Sequence, residues 1–176
     1  MKRRCAAAAL LILCVFLTCG VGLAPERLIV VDADVQRVYF YREGELIRSW
    51  PCAVGKTATP SPLGVFRING KHANWGTGFG TRFLSIDCPW GKYGIHGTNR
   101  PGSIGWNASH GCIRMLNRDI EELYALVQIG TKVIIERSSF GNLADGLRVL
   151  RPGDRGSDVY ELQLRLRNAG CYWGFP

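Results

Sequence analysis

The chain has 176 residues, 47% of them hydrophobic and 20% charged, with 22 glycines and 8 prolines. That composition belongs to a globular protein of one domain, with or without an appendage, and its turn-formers suit many short strands. The formal charge of +8 comes without a basic run interleaved with aromatics, which argues against a nucleic-acid partner and suits attraction to an anionic surface.

The first segment reads as an export signal. Lys2, Arg3 and Arg4 form a basic start, and Ala6 to Thr18 is an uncharged apolar run shorter than the about 20 residues a membrane span needs. Residues 1–24 are expected to be a signal peptide cleaved near Ala24, or an N-terminal anchor. Lipidation at Cys19 is an alternative, although Phe16 and Thr18 depart from the usual lipoprotein pattern. Losing the three basic residues with the signal takes the charge from +8 to +5. Of seven cysteines, Cys5, Cys14 and Cys19 lie in this segment. Among Cys52, Cys88, Cys112 and Cys171 an oxidising compartment permits disulfides, and the sequence leaves their pairing open.

From Arg27 the pattern turns β-like. Leu28 to Val31 and Val38 to Tyr41 are short apolar runs. Glu43-Gly44-Glu45 marks a turn before a third run, Leu46 to Val54. Gly55 to Pro62 is a breaker-rich loop, and Val65 to Ile68 resumes a strand. Asn74 to Gly80 reads as a glycine-rich loop, and Phe83 to Ile86 and Tyr93 to Ile95 as two more strands. Cys52 and Cys88 are expected on strands of the core, and His72 facing solvent. Trp75, Phe79, Trp90 and Trp106 could line a groove or simply pack. Asn117 is expected to cap a helix with Ile120, Leu123, Leu126 and Val127 on one face, stopping at Gly130. Val133 to Ile135 closes this unit as a strand. After a linker, 138–146, Ser157 is expected to cap a second helix with Val159, Leu162 and Leu166 as its stripe, ending near Gly170. The tail from Leu147 has 30 residues, below the about 40 that usually fold alone. It either packs on the main domain or is a fragment of something longer.

The chemistry is concentrated between Tyr93 and Met115, in Tyr-Gly-Ile-His-Gly-Thr-Asn and Ser-His-Gly-Cys-Ile-Arg-Met. A sulfur nucleophile needs a base within hydrogen-bond reach, and a free thiol titrating near ~8.5 needs help at neutral pH. Gly111 before Cys112 lets backbone amides approach a developing oxyanion. Either His96, on a separate strand-like run, or His110, two residues from Cys112, could be the base; spacing alone leaves this open. A buried structural thiol, or zinc held by His96, His110 and Cys112, are the competing readings, and Arg114 could be an ordinary surface arginine.

These two segments closely resemble the active-site signature of the YkuD-type L,D-transpeptidases. Val54-Gly55-Lys56 and Thr59-Pro60-Ser61-Pro62-Leu63-Gly64-Val65-Phe66 extend the resemblance to roughly Leu28–Glu136. The resemblance implies a cysteine attack on a peptidoglycan stem peptide after its third residue, a thioester, and resolution by an amine to give a 3→3 cross-link. It implies Cys112 as nucleophile, His96 as base and the Gly97 carbonyl as the group orienting the ring. His110, Gly111, Arg114 and Tyr93 then fall to the oxyanion and substrate-binding side. The Gly111 and Cys112 amides would be the oxyanion donors, and Arg114 would suit a substrate carboxylate. Carbapenems are implied as covalent inhibitors, and no metal or cofactor. The tail, through Leu150-Arg151-Pro152-Gly153, Leu162-Gln163 and Gly170-Cys171-Tyr172-Trp173-Gly174, resembles the opening of a helical peptidoglycan-binding domain; a bare amphipathic helix docked on the main domain is the alternative.

The expected architecture is mainly β: a sandwich-like catalytic domain at 27–137 with one helix, a linker at 138–146 and a short helical C-terminal segment at 147–176. The expected activity is peptidoglycan L,D-transpeptidation outside the cytoplasm, at the cell wall. An L,D-carboxypeptidase using water, or a non-catalytic wall-binding protein, are the rivals.

Overall fold

The structure is a computed structural model that describes residues 26–137 and 149–174. The expected signal, residues 1–24, and linker, 138–146, lie outside the described residues.

Ten strands and two α-helices are described: β1 (Arg27–Asp32), β2 (Arg37–Arg42), β3 (Glu45–Pro51), β4 (Val54–Gly55), β5 (Gly64–Ala73), β6 (Arg82–Ile86), β7 (Tyr93–His96), β8 (Asn107–Ser109), β9 (Ile113–Arg114), α1 (Asn117–Leu126), β10 (Lys132–Glu136) and α2 (Ser157–Asn168). Eight strands form one curled sheet in the order β3-β2-β1-β10-β5-β6-β7-β9, and β4 pairs with β8 beside it. The sheet is mixed, because β1–β10, β7–β9 and β4–β8 are parallel and the other pairs antiparallel. The β2–β3 turn is made by Glu43 and Gly44, both at positive φ (52° and 82°), which suits the twist of a tight hairpin.

Strand β5 joins the two halves of the sheet. Its start, Gly64–Arg67, pairs with β10, and its end pairs with β6 after a register shift between Ile68 and Gly70. Phe66 and Ile68 point inward while Val65, Arg67 and Asn69 are exposed, the period of two that a half-buried strand dictates. One core serves both halves: Ile29, Val31, Val38 and Phe40 meet Leu84, Ile86, Ile95 and Ile113. Helix α1 covers β6 and β7 with Ile120 and Leu123 fully buried, each worth about 1.5–3 kcal/mol over exposure. The Lys71 ammonium donates to the Tyr124 and Val127 carbonyls, both at 2.7 Å, and so satisfies the end of α1 with a cation where the helix dipole favours one.

The mainly β, sandwich-like expectation holds, and several local expectations do not. The run Leu46–Val54 is split: β3 ends at Pro51, and Cys52 and Ala53 separate it from β4. Cys52 and Cys88 are buried, but each sits just beyond a strand end rather than within it. Gly130, at φ 88°, forms the turn into β10, while α1 already stops at Leu126. Neither expected cap is one. Leu116 precedes α1 and Gly156 precedes α2, and the Asn117 and Ser157 side chains bond to other parts of the fold. Gly170 does end α2: it takes φ 73°, and the Cys171 amide reaches back to the Leu166 carbonyl at 2.7 Å.

The tail packs on the main domain. The Leu63 amide donates to the Ser157 hydroxyl at 2.7 Å, and the Tyr160 ring lies 5.3 Å from that of Trp90.

Candidate active site

Strand register places the chemistry. Phe83 pairs with His96 across β6–β7, and His96 pairs with Arg114 across β7–β9. The neighbouring row, Leu84, Ile95 and Ile113, faces the core. Cys112 is the bend residue directly before β9, two positions ahead of the Arg114 that pairs with His96. The Gly94 backbone bonds to its thiol. The Cys112 thiol and the His96 ring both feel the Arg114 charge.

His96 is 3% exposed. Its Nδ1 lies 2.5 Å from the Gly97 carbonyl, which leaves Nε2 as the nitrogen able to accept a proton. The ring stacks on Phe83, 5.5 Å away at 11°, and meets Phe79 edge-on at 5.0 Å. Burial pushes its pKa from the ordinary 6.5 down to about 4; the Gly97 and Phe79 backbones pull upward, and the Arg114 charge adds to the fall. Burial likewise pushes the Cys112 thiol up, against opposing pulls from the Gly94 backbone and Arg114. At rest the thiol and the imidazole are therefore both neutral.

The cysteine loop is built from below. The Ser109 carbonyl accepts from the Lys56 amide at 3.1 Å and the Thr59 hydroxyl at 3.2 Å. The Ser61 hydroxyl, itself buried, accepts from the Gly55 amide at 2.9 Å. A side chain at Gly55 would sit 2.3 Å from the Thr59 carbonyl oxygen, so the turn admits only glycine. Gly111 takes φ 115°, and a Cβ there would lie 2.5 Å from the Tyr93 ring. Its amide donates to the Ser109 hydroxyl at 3.0 Å. The amide expected to face an oxyanion is thus already occupied, and Ser109 is what shapes the loop.

The remaining expected residues gather around this centre. Tyr93 packs its ring on Gly111, and burial, together with Cys88 and Cys112, raises its hydroxyl pKa. Arg114 is half-buried, held through its backbone to Ala53 at 2.8 and 2.9 Å, with its guanidinium 3.4 Å from the Ala108 carbonyl. His110 is exposed at the loop tip. Among the described residues, no three His, Cys, Asp or Glu groups converge as a metal site would require. His72 does not face solvent freely: its ring lies 3.9 Å from Trp75, which in turn meets Phe83. Trp106 is largely exposed, whereas Trp90 packs against Phe66.

The sequence reading missed two supports. Phe83 and Phe79 clamp the imidazole. Asn117 Oδ1 accepts the Thr81 and Thr98 amides at 3.3 and 3.1 Å, tying α1 to the strand end that carries His96 and Gly97. Gly80 and Gly97 lie so close to that oxygen that a Cβ on either would come within 2.1 and 2.3 Å of it. Their recurrence near His96 was the one available signal.

Residues 26–135 match the YkuD family, the L,D-transpeptidase catalytic domain. The chain belongs to this family. It is 44% identical over 107 residues to a Bacillus licheniformis protein named L,D-transpeptidase YkuD, covering 61% of this chain and 64% of that protein, a little under two thirds of its length. The solved catalytic domain of the E. faecium L,D-transpeptidase superposes with a TM-score of 0.55 at 28% identity, covering 65% of this chain and 99% of that one. A carbamoyl enzyme of an L,D-transpeptidase with avibactam superposes at 0.57 with 30% identity, over 64% of this chain and 49% of that one. In this YkuD domain the Gly55–Pro62 turn and the cysteine segment are one hydrogen-bonded unit, since Lys56 and Thr59 both bond to the Ser109 carbonyl while Ser61 braces Gly55.

Proposed function

We propose that the protein is an exported L,D-transpeptidase that cross-links peptidoglycan stem peptides through a Cys112 thioester. What supports this reading is the strand register that pairs His96 with Arg114, two residues after Cys112, together with the contact of the ring to the Gly97 carbonyl. A carbonyl takes the place that a carboxylate holds in a triad.

Starting from a neutral pair, the thiol proton passes to His96 Nε2 as sulfur attacks the carbonyl after the third stem residue. The Cys112 and His110 amides are the donors for the resulting oxyanion, because the Gly111 amide serves Ser109. The imidazolium then protonates the departing D-alanine amine, leaving the thioester. An amine from a second stem attacks that thioester, gives its proton to His96 and releases the thiol. Arg114, beside both groups, suits the carboxylate of the donor stem. The basic chain suits an anionic wall, and residues 1–24 supply the export signal.

The avibactam carbamoyl enzyme of a similar L,D-transpeptidase supports covalent capture of Cys112 by an acylating inhibitor. Intact-mass spectrometry after carbapenem exposure tests the reading. Wild type gains one inhibitor mass and Cys112→Ala gains none. An unmodified, folded, reduced wild type refutes the proposal. Product analysis on tetrapeptide stems then separates amine from water as acceptor.

A further inference from the structure

A second site lies where α2 meets the catalytic domain. A cleft of about 170 Å³ opens between Pro89 and Trp90 on one side and Asp154, Arg155, Tyr160 and Gln163 on the other. Trp90 and Tyr160 form an aromatic corner, with centroids 5.3 Å apart and planes at 47°. A saccharide ring offers apolar C–H faces and a rim of hydroxyls. Such a ligand asks for aromatic surface flanked by a few polar groups. Gln163 presents both donors and an acceptor and Arg155 donors, while the Asp154 carboxylate takes the Arg151 amide at 2.8 Å. The opposite charges of Asp154 and Arg155 offset each other, which favours a neutral ligand over an anion.

The cleft is joined to the catalytic loop by two short chains of contacts. On one side, Trp90 leads to Gly91, which lies against the Tyr93 ring, and that ring packs on Gly111. On the other, Ser157 binds the Leu63 amide, in the segment whose Pro60 carbonyl also faces Gly111. We infer that this cleft binds a sugar ring of the glycan strand bearing the donor stem peptide and so holds that stem at Cys112. The inference rests on the transpeptidase reading for its ligand, yet can be tested apart from it.

The test uses the full chain. Binding of chitobiose is followed through the Trp90 indole resonance, assigned with Trp90→Phe. Turnover is compared on a free tetrapeptide stem and on the same stem carrying its disaccharide. Chitobiose is expected to shift Trp90, and the disaccharide to lower KM by about tenfold. Arg155→Ala with Gln163→Ala should abolish both effects and leave kcat on the free stem and the carbapenem adduct unchanged. An unmoved Trp90 resonance overturns the inference. So does equal KM for the two stems, or a double variant that slows both substrates alike. A missing carbapenem adduct would instead count against the enzyme reading, and the chitobiose titration still decides the cleft.

Discussion

His96 shows what burial does to a single group. An imidazole with 3% exposure, packed between Phe83 and Phe79, resists carrying charge, so its pKa falls from 6.5 to about 4. Between those values the unfolded chain binds a proton that the folded chain refuses, so acid favours unfolding. This part of the stability is complete above about pH 6.5 and is lost as pH falls toward 4, on the order of 3 kcal/mol. Denaturant unfolding at pH 7 and pH 4.5 measures it: His96→Gln should lose less on acidification than wild type, and an equal loss in both would sink the assignment. The same pKa governs catalysis, because His96 must be neutral to accept the thiol proton. The carbapenem acylation rate should fall on the acid side near pH 4; a fall centred at an unperturbed 6.5 would mean that the ring is not the buried base described.

At the scale of elements, Asn117 ties the start of α1 to the segment entering β6 and the segment leaving β7. Its side-chain oxygen takes the Thr81 and Thr98 amides. Replacing it with alanine leaves those donors without that acceptor, which costs roughly 1–3 kcal/mol. Asn117→Ala should therefore unfold at lower urea and acylate more slowly, because Thr98 directly follows the His96-Gly97 pair. Asn117→Asp keeps the accepting oxygen and should recover most of both. If the alanine variant matched wild type in midpoint and rate, the tie would be idle. Two expectations failed here for one physical reason. Asn and Ser before an apolar stripe satisfy a helix end when nothing else competes. In this fold an amide on another element lies within reach of each, and that contact takes the side chain.

At the scale of the molecule, the tail is bonded to the segment that follows the turn bracing the cysteine loop. Leu63 is buried, and its amide is satisfied by Ser157, 94 residues later in the chain. Ser157→Ala should speed hydrogen exchange at the Leu63 amide by about tenfold or more and lower stability by roughly 1–3 kcal/mol. Ser157→Thr, which keeps the hydroxyl, should restore both. Unchanged exchange at Leu63 would show that α2 docks without that bond.

The sequence by itself determined the strand-rich class, most strand positions, both helices and the residues of the reactive segment. Those rest on local facts: β-branched runs, turn-formers, a 3.6-residue stripe, and glycines where backbone must come close. What the tertiary structure decided is which of these groups meet. Two residues separate Cys112 from Arg114 in the sequence, but only the pairing of β9 with β7 sets Arg114 opposite His96. Composition could not show that Phe83 stacks on the ring, that Ser109 takes the Gly111 amide, or that a tail serine completes the Leu63 loop. The first and last of these contacts join residues whose separation only the paired strands and packed helices remove, and the Ser109 turn is held in place by the distant Lys56 and Thr59.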